Sequence, residues 1–204
     1  MKNVFLGEYI KQRRLDLGLT QEQLCDGICE PMTLSRLENG KQTPSRNRIN
    51  ALLQRLGLPD DRYFALLSKN ELEMEALQKE IVACNANHRV EEGFETLKKF
   101  EQIADHDDQI AQQFILRSKV LLGRLDQRYT PQEQIDLLMQ AIRLTVPRFN
   151  LDEIERFFYS TDEIKIINQI GIAYSDDGQN KKAADIYYQL LKYVRKHFEE
   201  TITS

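Results

Sequence analysis

A chain of 204 residues with 29% charged residues and a mean hydropathy of -0.53 has room for one large or two modest cores, and no apolar run approaches the 18 residues a membrane span needs. The net charge of -4 hides an asymmetry: residues 1–60 carry nine Lys/Arg against seven Asp/Glu, and the remainder carries 19 against 25. A mildly basic amino-terminal part suits an anionic partner, and the acidic body behind it does not. Three cysteines exclude a disulfide framework and point to a reducing, intracellular setting. Cys25 and Cys29 are four residues apart, but His88, His106 and His197 are scattered and no second cysteine pair exists, so both read as small core residues rather than metal ligands. The start "MKNVFLGEYIKQRR" lacks the apolar stretch and cleavage site of a signal peptide. With no phosphate loop, metal cluster or nucleophile–base pair, the residues predict a non-enzyme without cofactor or metal.

Nine glycines, five prolines and apolar residues at three- and four-residue spacing predict an all-α protein. Leu6, Ile10 and Leu17 form the stripe of a first helix that ends at Gly18. Thr20 and Gln23 have capping-box spacing, and Leu19 with Leu24 that of a hydrophobic staple, so a second helix starts here and Gly27 stops it after about two turns. In "PMTLSRLENGKQTPS", Pro31 suits the first position of a third helix, and Leu34 and Leu37 face inward. Met32, Thr33, Ser35, Arg36 and Asn39 then lie outward or at the rim, and Gly40 ends the helix. Ser45 is the predicted N-cap of a fourth helix, with Ile49, Leu52, Leu53 and Leu56 inward and Gly57 at its end.

Two short helices joined by a tight turn, the second with an outward polar face, have helix-turn-helix form. "TQEQLCDGI" followed by "TLSRLENGKQTP" is similar to the Xre/Cro/lambda-repressor-like DNA-binding domain across residues 6–58. That resemblance implies a five-helix domain in which Gln21, Asn39, Lys41 and Arg46 hold phosphate. It also implies a buried ion pair between Arg14 and Glu38. Ser35 and Arg36 are the base-reading candidates, Arg36 through a two-pronged contact to guanine or alternatively as a phosphate ligand. Met32 suits a thymine methyl group, and Thr33 shares the DNA-binding face. Glu30 stands where the family often has a Ser or Thr cap, which places a carboxylate near DNA.

Beyond "GLP" at 57–59, "DDRYFALL" predicts a bridging helix packing through Tyr63, Phe64 and Leu67, which puts a domain boundary near residue 68. Residues 69–204 then read as amphipathic helices at 70–87, 89–104, 108–125, 131–146, 162–176 and 180–198, about three pairs, with an extra short helix in the connection after 146. "IINQIGIAYSDDGQNKKAADIYYQLL" resembles a tetratricopeptide repeat: Gly171 and Ala183 permit close approach, Tyr174 and Tyr187 fill the gap, and Gly178 makes the turn. A solenoid of such hairpins has a concave face, where Asn168 and Lys165, and in the preceding pair Arg117 and Gln113, are candidates for holding an extended peptide. The last helix is apolar nearly all round, through Ile186, Tyr187, Leu190, Leu191, Val194 and Phe198, which predicts a cover, either further repeats or a dimer partner.

An Xre-type head on a tetratricopeptide-like body resembles the PlcR/Rgg/PrgX peptide-sensing transcription regulators. The resemblance implies a cytoplasmic homodimer that binds a palindromic operator in double-stranded DNA and responds, in quorum sensing, to a short peptide in the groove of the repeats. The alternative is a repressor or antitoxin-type DNA-binding protein whose helical body serves only dimerisation or partner contact.

Overall fold

The structure, a computed structural model, describes residues 6–58 and 69–198 and is all-α, with no strand among them. The predicted bridging helix with Tyr63, Phe64 and Leu67 falls outside the described residues. Four helices come first: α1 (Leu6–Asp16), α2 (Gln21–Cys25), α3 (Pro31–Glu38) and α4 (Arg46–Arg55). Ile10, Leu24, Leu34, Ile49 and Leu52 are fully buried in one core shared by all four. The start of α2 is the box read from sequence: the Gln23 amide donates to Thr20 Oγ1 at 3.1 Å, and the Thr20 amide to Gln23 Oε1 at 2.8 Å. Five residues of helix are not stable alone, so packing of Leu24 and Cys25 holds α2 in place. Ser45 occupies the N-cap position of α4, but its side chain makes no capping bond and its hydroxyl is buried without a partner.

Three antiparallel pairs follow: α5 (Lys69–Ala86) with α6 (Val90–Ile103), α7 (Gln109–Leu125) with α8 (Pro131–Thr145), and α9 (Thr161–Asp176) with α10 (Asn180–Phe198). A short 3-10 helix at Leu151–Arg156 fills the long connection before α9. The spacing of the third pair has a visible cause. A Cβ on Gly171 would lie 2.6 Å from the Tyr187 ring, so the glycine leaves that ring its place against α9. Below it, Tyr159 and Tyr193 are buried with their polar atoms bonded: the Tyr159 amide donates to the Tyr193 hydroxyl at 2.9 Å, and the Tyr159 hydroxyl to the Ile154 carbonyl at 2.8 Å. On α10, Ala183, Ile186, Leu190 and Tyr193 face the core, while Tyr188 (69% exposed) and Leu191 (49%) lie uncovered on the other side.

The two groups of helices share a joint. Ile110 and Phe158, from the second group, pack against the core of the first. At the C-terminal end of α4, Arg55 is buried with Glu163, from the first turn of α9, and Nη2 donates to Glu163 Oε1 at 2.7 Å. The same guanidinium donates to the carbonyls of Leu24 (3.1 Å) and Asp26 (2.6 Å) on one side and of Thr145 (2.7 Å) on the other. Glu163 is held from behind by a capping box in which its Oε2 accepts the Ser160 amide at 2.6 Å. Gly27 sits in the same seam with φ +72, and a Cβ there would collide with the backbone of Thr145. Gln109, with its amide nitrogen turned inward, donates to the Gly27 and Leu144 carbonyls.

Candidate nucleic-acid interface

Leu34 and Leu37 anchor α3 in the core, and that anchoring decides which of its side chains reach solvent. Met32 is 63% exposed, Arg36 and Asn39 are exposed, and Thr33 and Ser35 are half-buried. Arg36 makes one long contact, Nη1 to Gln42 Oε1 at 3.5 Å, so its guanidinium is close to fully available. Asn39 closes the helix by donating from Nδ2 to the Ser35 carbonyl at 2.7 Å. At the other end Glu30 is the N-cap residue without a side-chain capping bond, and Pro31 follows at the first turn, as its missing N–H allows.

Behind α3, Arg14 Nε donates to Glu38 Oε1 at 2.6 Å, Nη2 to Glu38 Oε2 at 3.0 Å and Nη1 to the Leu19 carbonyl at 2.7 Å. Both charges are buried, and this two-pronged geometry fixes the roll of α3 against α1. Gln21 belongs to the same cluster: its Nε2 donates to Glu38 Oε2 at 2.7 Å. The side chain assigned to phosphate by resemblance is therefore engaged in positioning the recognition helix. Arg46 is likewise occupied, with Nη1 3.2 Å from Glu75 on α5. Lys41 is exposed in the loop after α3.

The candidate peptide residues separate into two places. Gln113 and Arg117 line a cavity of about 230 Å³, together with Gln78 of α5, Asp162 and Ile166 of α9, and Asn47 and Asn50 of α4. Gln113 is buried, and its Nε2 already donates to the Ala141 carbonyl (3.0 Å) and Thr145 Oγ1 (2.6 Å), so it ties α7 to α8. Arg117 Nε donates to Gln169 Oε1 at 3.3 Å, burial pushes its guanidinium pKa below the ordinary value, and the opposing Asp162 carboxylate is 3.5 Å away and half-exposed. Asn50 Oδ1 is buried in the cavity lining without a partner. Asn168 and Lys165 lie exposed on α9 outside this lining, with Lys165 Nζ 3.0 Å from Asp162. Sequence reading assigned no role to Arg55, Glu163, Asn50 or Gln109, because their significance rests on contacts across as many as 108 residues of chain.

The helix-turn-helix domain family matches residues 6–63. No curated protein matches the chain. Among solved structures, the chain is similar to PlcR of Bacillus thuringiensis, determined in complex with the peptide PapR7 and DNA. The identity is 22% and the TM-score 0.50, with 94% of this chain aligned, so the likeness is one of fold and extends through both groups of helices. The chain spans 65% of the length of that PlcR chain. No helix among the described residues is long and apolar enough to cross a membrane.

Proposed function

We propose that this protein is a sequence-specific DNA-binding transcriptional regulator, cytoplasmic and homodimeric, whose helical body binds a short signalling peptide. The observation that carries the DNA-binding half is the exposed edge of α3 on a matched helix-turn-helix domain. Ser35 and Arg36 would read base edges and Met32 a thymine methyl group, with Thr33 at the margin. Lys41, Asn39, Gln21 and Arg46 would hold the backbone, Gln21 and Arg46 after exchanging a carboxylate partner for phosphate. Two such heads in a twofold dimer fit a palindromic operator. The uncovered Tyr188 and Leu191 on α10 support a contact between copies there.

The peptide half is supported by the fold likeness to a protein solved with a peptide and by the cavity at the joint. Arg117 has one distant carboxylate, and the unpartnered Asn50 Oδ1 requires an N–H donor. A peptide supplies both a carboxylate and amide N–H groups. Asn168 and Lys165 would extend the contact along α9. Because Asn47 and Asn50 belong to α4 of the DNA-binding head, an occupant of this cavity touches the head directly. It shifts the head only if it binds one head position better than another. The test is selection of bound duplexes from a random pool, with and without synthetic peptides encoded near the gene. Recovery of a palindrome whose enrichment changes with one peptide supports the proposal. An operator indifferent to every peptide leaves a plain repressor, and no enrichment removes the regulatory reading.

A further inference from the structure

The turn between α2 and α3 holds two thiols that the DNA-binding role does not use. Cys25 is 1% exposed, in the core of the first four helices, and Cys29 is half-buried and packs against that core from its edge. Cys29 borders surface depressions that also touch Glu30, Thr33, Arg48 and Arg148. The turn is bonded, with the Cys29 amide donating to the Cys25 carbonyl at 3.1 Å, which holds the two residues side by side. We propose that Cys25 and Cys29 form a peroxide-sensitive dithiol that closes to an intramolecular disulfide and thereby alters the joint between the DNA-binding head and the helical body.

The chemistry assigns each thiol a part. Cys29 is the more exposed of the two, and its interaction with Cys25 lowers its pKa against the effect of burial; Arg48 and Arg55 lower it further, while Glu30 opposes them. Cys25 is held protonated by the same interaction and then by burial. The Cys29 thiolate attacks one oxygen of hydrogen peroxide, the O–O bond breaks, and the departing hydroxide takes up a proton to leave as water. Cys29 is then a sulfenic acid. The Cys25 sulfur attacks the Cys29 sulfur, the S–S bond forms, the S–O bond breaks, and hydroxide leaves with the Cys25 proton as a second water. The two thiols lose two electrons in total, and peroxide accepts them.

The consequence follows from geometry. Between the two cysteines the chain leaves the helix, with ψ 120 at Asp26 and φ +72 at Gly27, and a disulfide requires Cβ atoms about 3.5–4.5 Å apart. Closure therefore fixes the backbone of Asp26 and Gly27 to a turn that meets this spacing. Gly27 lies within this turn against Thr145, the Asp26 carbonyl accepts from Arg55, and the Gly27 carbonyl accepts from Gln109. Close-packed contacts of this kind respond to a new constraint on the turn.

The test uses the full reduced chain with hydrogen peroxide as the probe. Trypsin cleaves after Arg14 and Arg36, so both thiols fall in one peptide, while Cys84 lies in another. Cys84 is the internal control, because burial and Glu80 push its thiol up. The expected result is that the 15–36 peptide loses two hydrogens and takes up no maleimide, with Cys84 still labelled. In reduced protein Cys29 should react with iodoacetamide at pH 7 at least about tenfold faster than Cys84. In Cys25→Ser, dimedone should trap the Cys29 sulfenic acid. Amide hydrogen exchange at residues 27–29 and 145–146 should rise on oxidation and recover with dithiothreitol. Oxidation of Cys84 first, cross-linking between chains, or no dimedone adduct in Cys25→Ser would overturn the dithiol. A disulfide that leaves exchange unchanged would overturn its link to the joint.

Discussion

Replacing Glu163 by Gln removes the only carboxylate bonded to Arg55 in the described structure and keeps nearly the same side-chain shape. Arg55 is 4% exposed and Glu163 2%, so the guanidinium cannot recover hydration by a small movement. It retains the Leu24, Asp26 and Thr145 carbonyls, which delocalise the positive charge but do not neutralise it. The single Gln oxygen must also choose between Arg55 and the Ser160 amide, where Glu163 now serves both. Breaking a buried pair by removing one partner costs about 3–5 kcal/mol, and the isosteric change places this one near 3. At about 2 kcal/mol per molar for urea, the unfolding midpoint should fall by at least about 1 M. The assay is urea unfolding followed by circular dichroism on wild type, Glu163→Gln, Arg55→Met and the double variant. The double variant should be less destabilised than the sum of the singles by about 2–3 kcal/mol. A midpoint shift below about 0.3 M, or additivity within about 0.5 kcal/mol, would refute the view that this pair holds head and body together.

The same joint predicts that Gly27→Ala costs at least about 2 kcal/mol, since it combines a positive φ with collision against Thr145 backbone. Gly171→Ala should cost less, because the Tyr187 ring it meets can swing aside; equal melting temperatures for the two variants would contradict this. His197 packs on Phe158 and Tyr193, and burial followed by Lys196 holds its pKa below the ordinary 6.5. The unfolded chain then binds the proton more readily, so stability is lost as pH falls from about 6.5 through the folded pKa. His197→Phe should flatten that slope in thermal melts at pH 5 to 7, and an unchanged slope would remove His197 as its source. Leu191→Glu should lower the sedimentation mass of a dimer formed through α10; a mass unchanged by it would place the contact elsewhere.

Local signals were legible in the sequence where one or two turns of chain contain the whole interaction. Thr20 and Gln23 form their capping box within one turn, whereas the contacts of Gly171 with Tyr187 and of Arg14 with Glu38, the latter 24 residues apart, were reached through resemblances to known families. Ser45 had the right type at the right place, yet its hydroxyl makes no cap and is buried without a partner. Glu163 was inconspicuous: in sequence it is an acidic residue in a first turn, and its role appears only when Arg55 arrives from 108 residues away. Gly27 read as a helix stop, which it is, but its contact with Thr145 depends on how the two groups of helices meet. Gln21 illustrates the opposite case, where a role carried by resemblance meets a side chain already engaged with Glu38.

The central claim is that α3 reads DNA sequence through Arg36, and a binding isotherm tests it directly. With the selected operator and a random duplex of equal length, Arg36→Ala should lose about 10- to 100-fold on the operator, or ~1–3 kcal/mol, with little change on random DNA. Lys41→Ala, the internal control, should weaken both equally and reduce the salt slope by about one. Equal loss on operator and random DNA for Arg36→Ala would contradict the assignment of α3 as the reading helix through this residue.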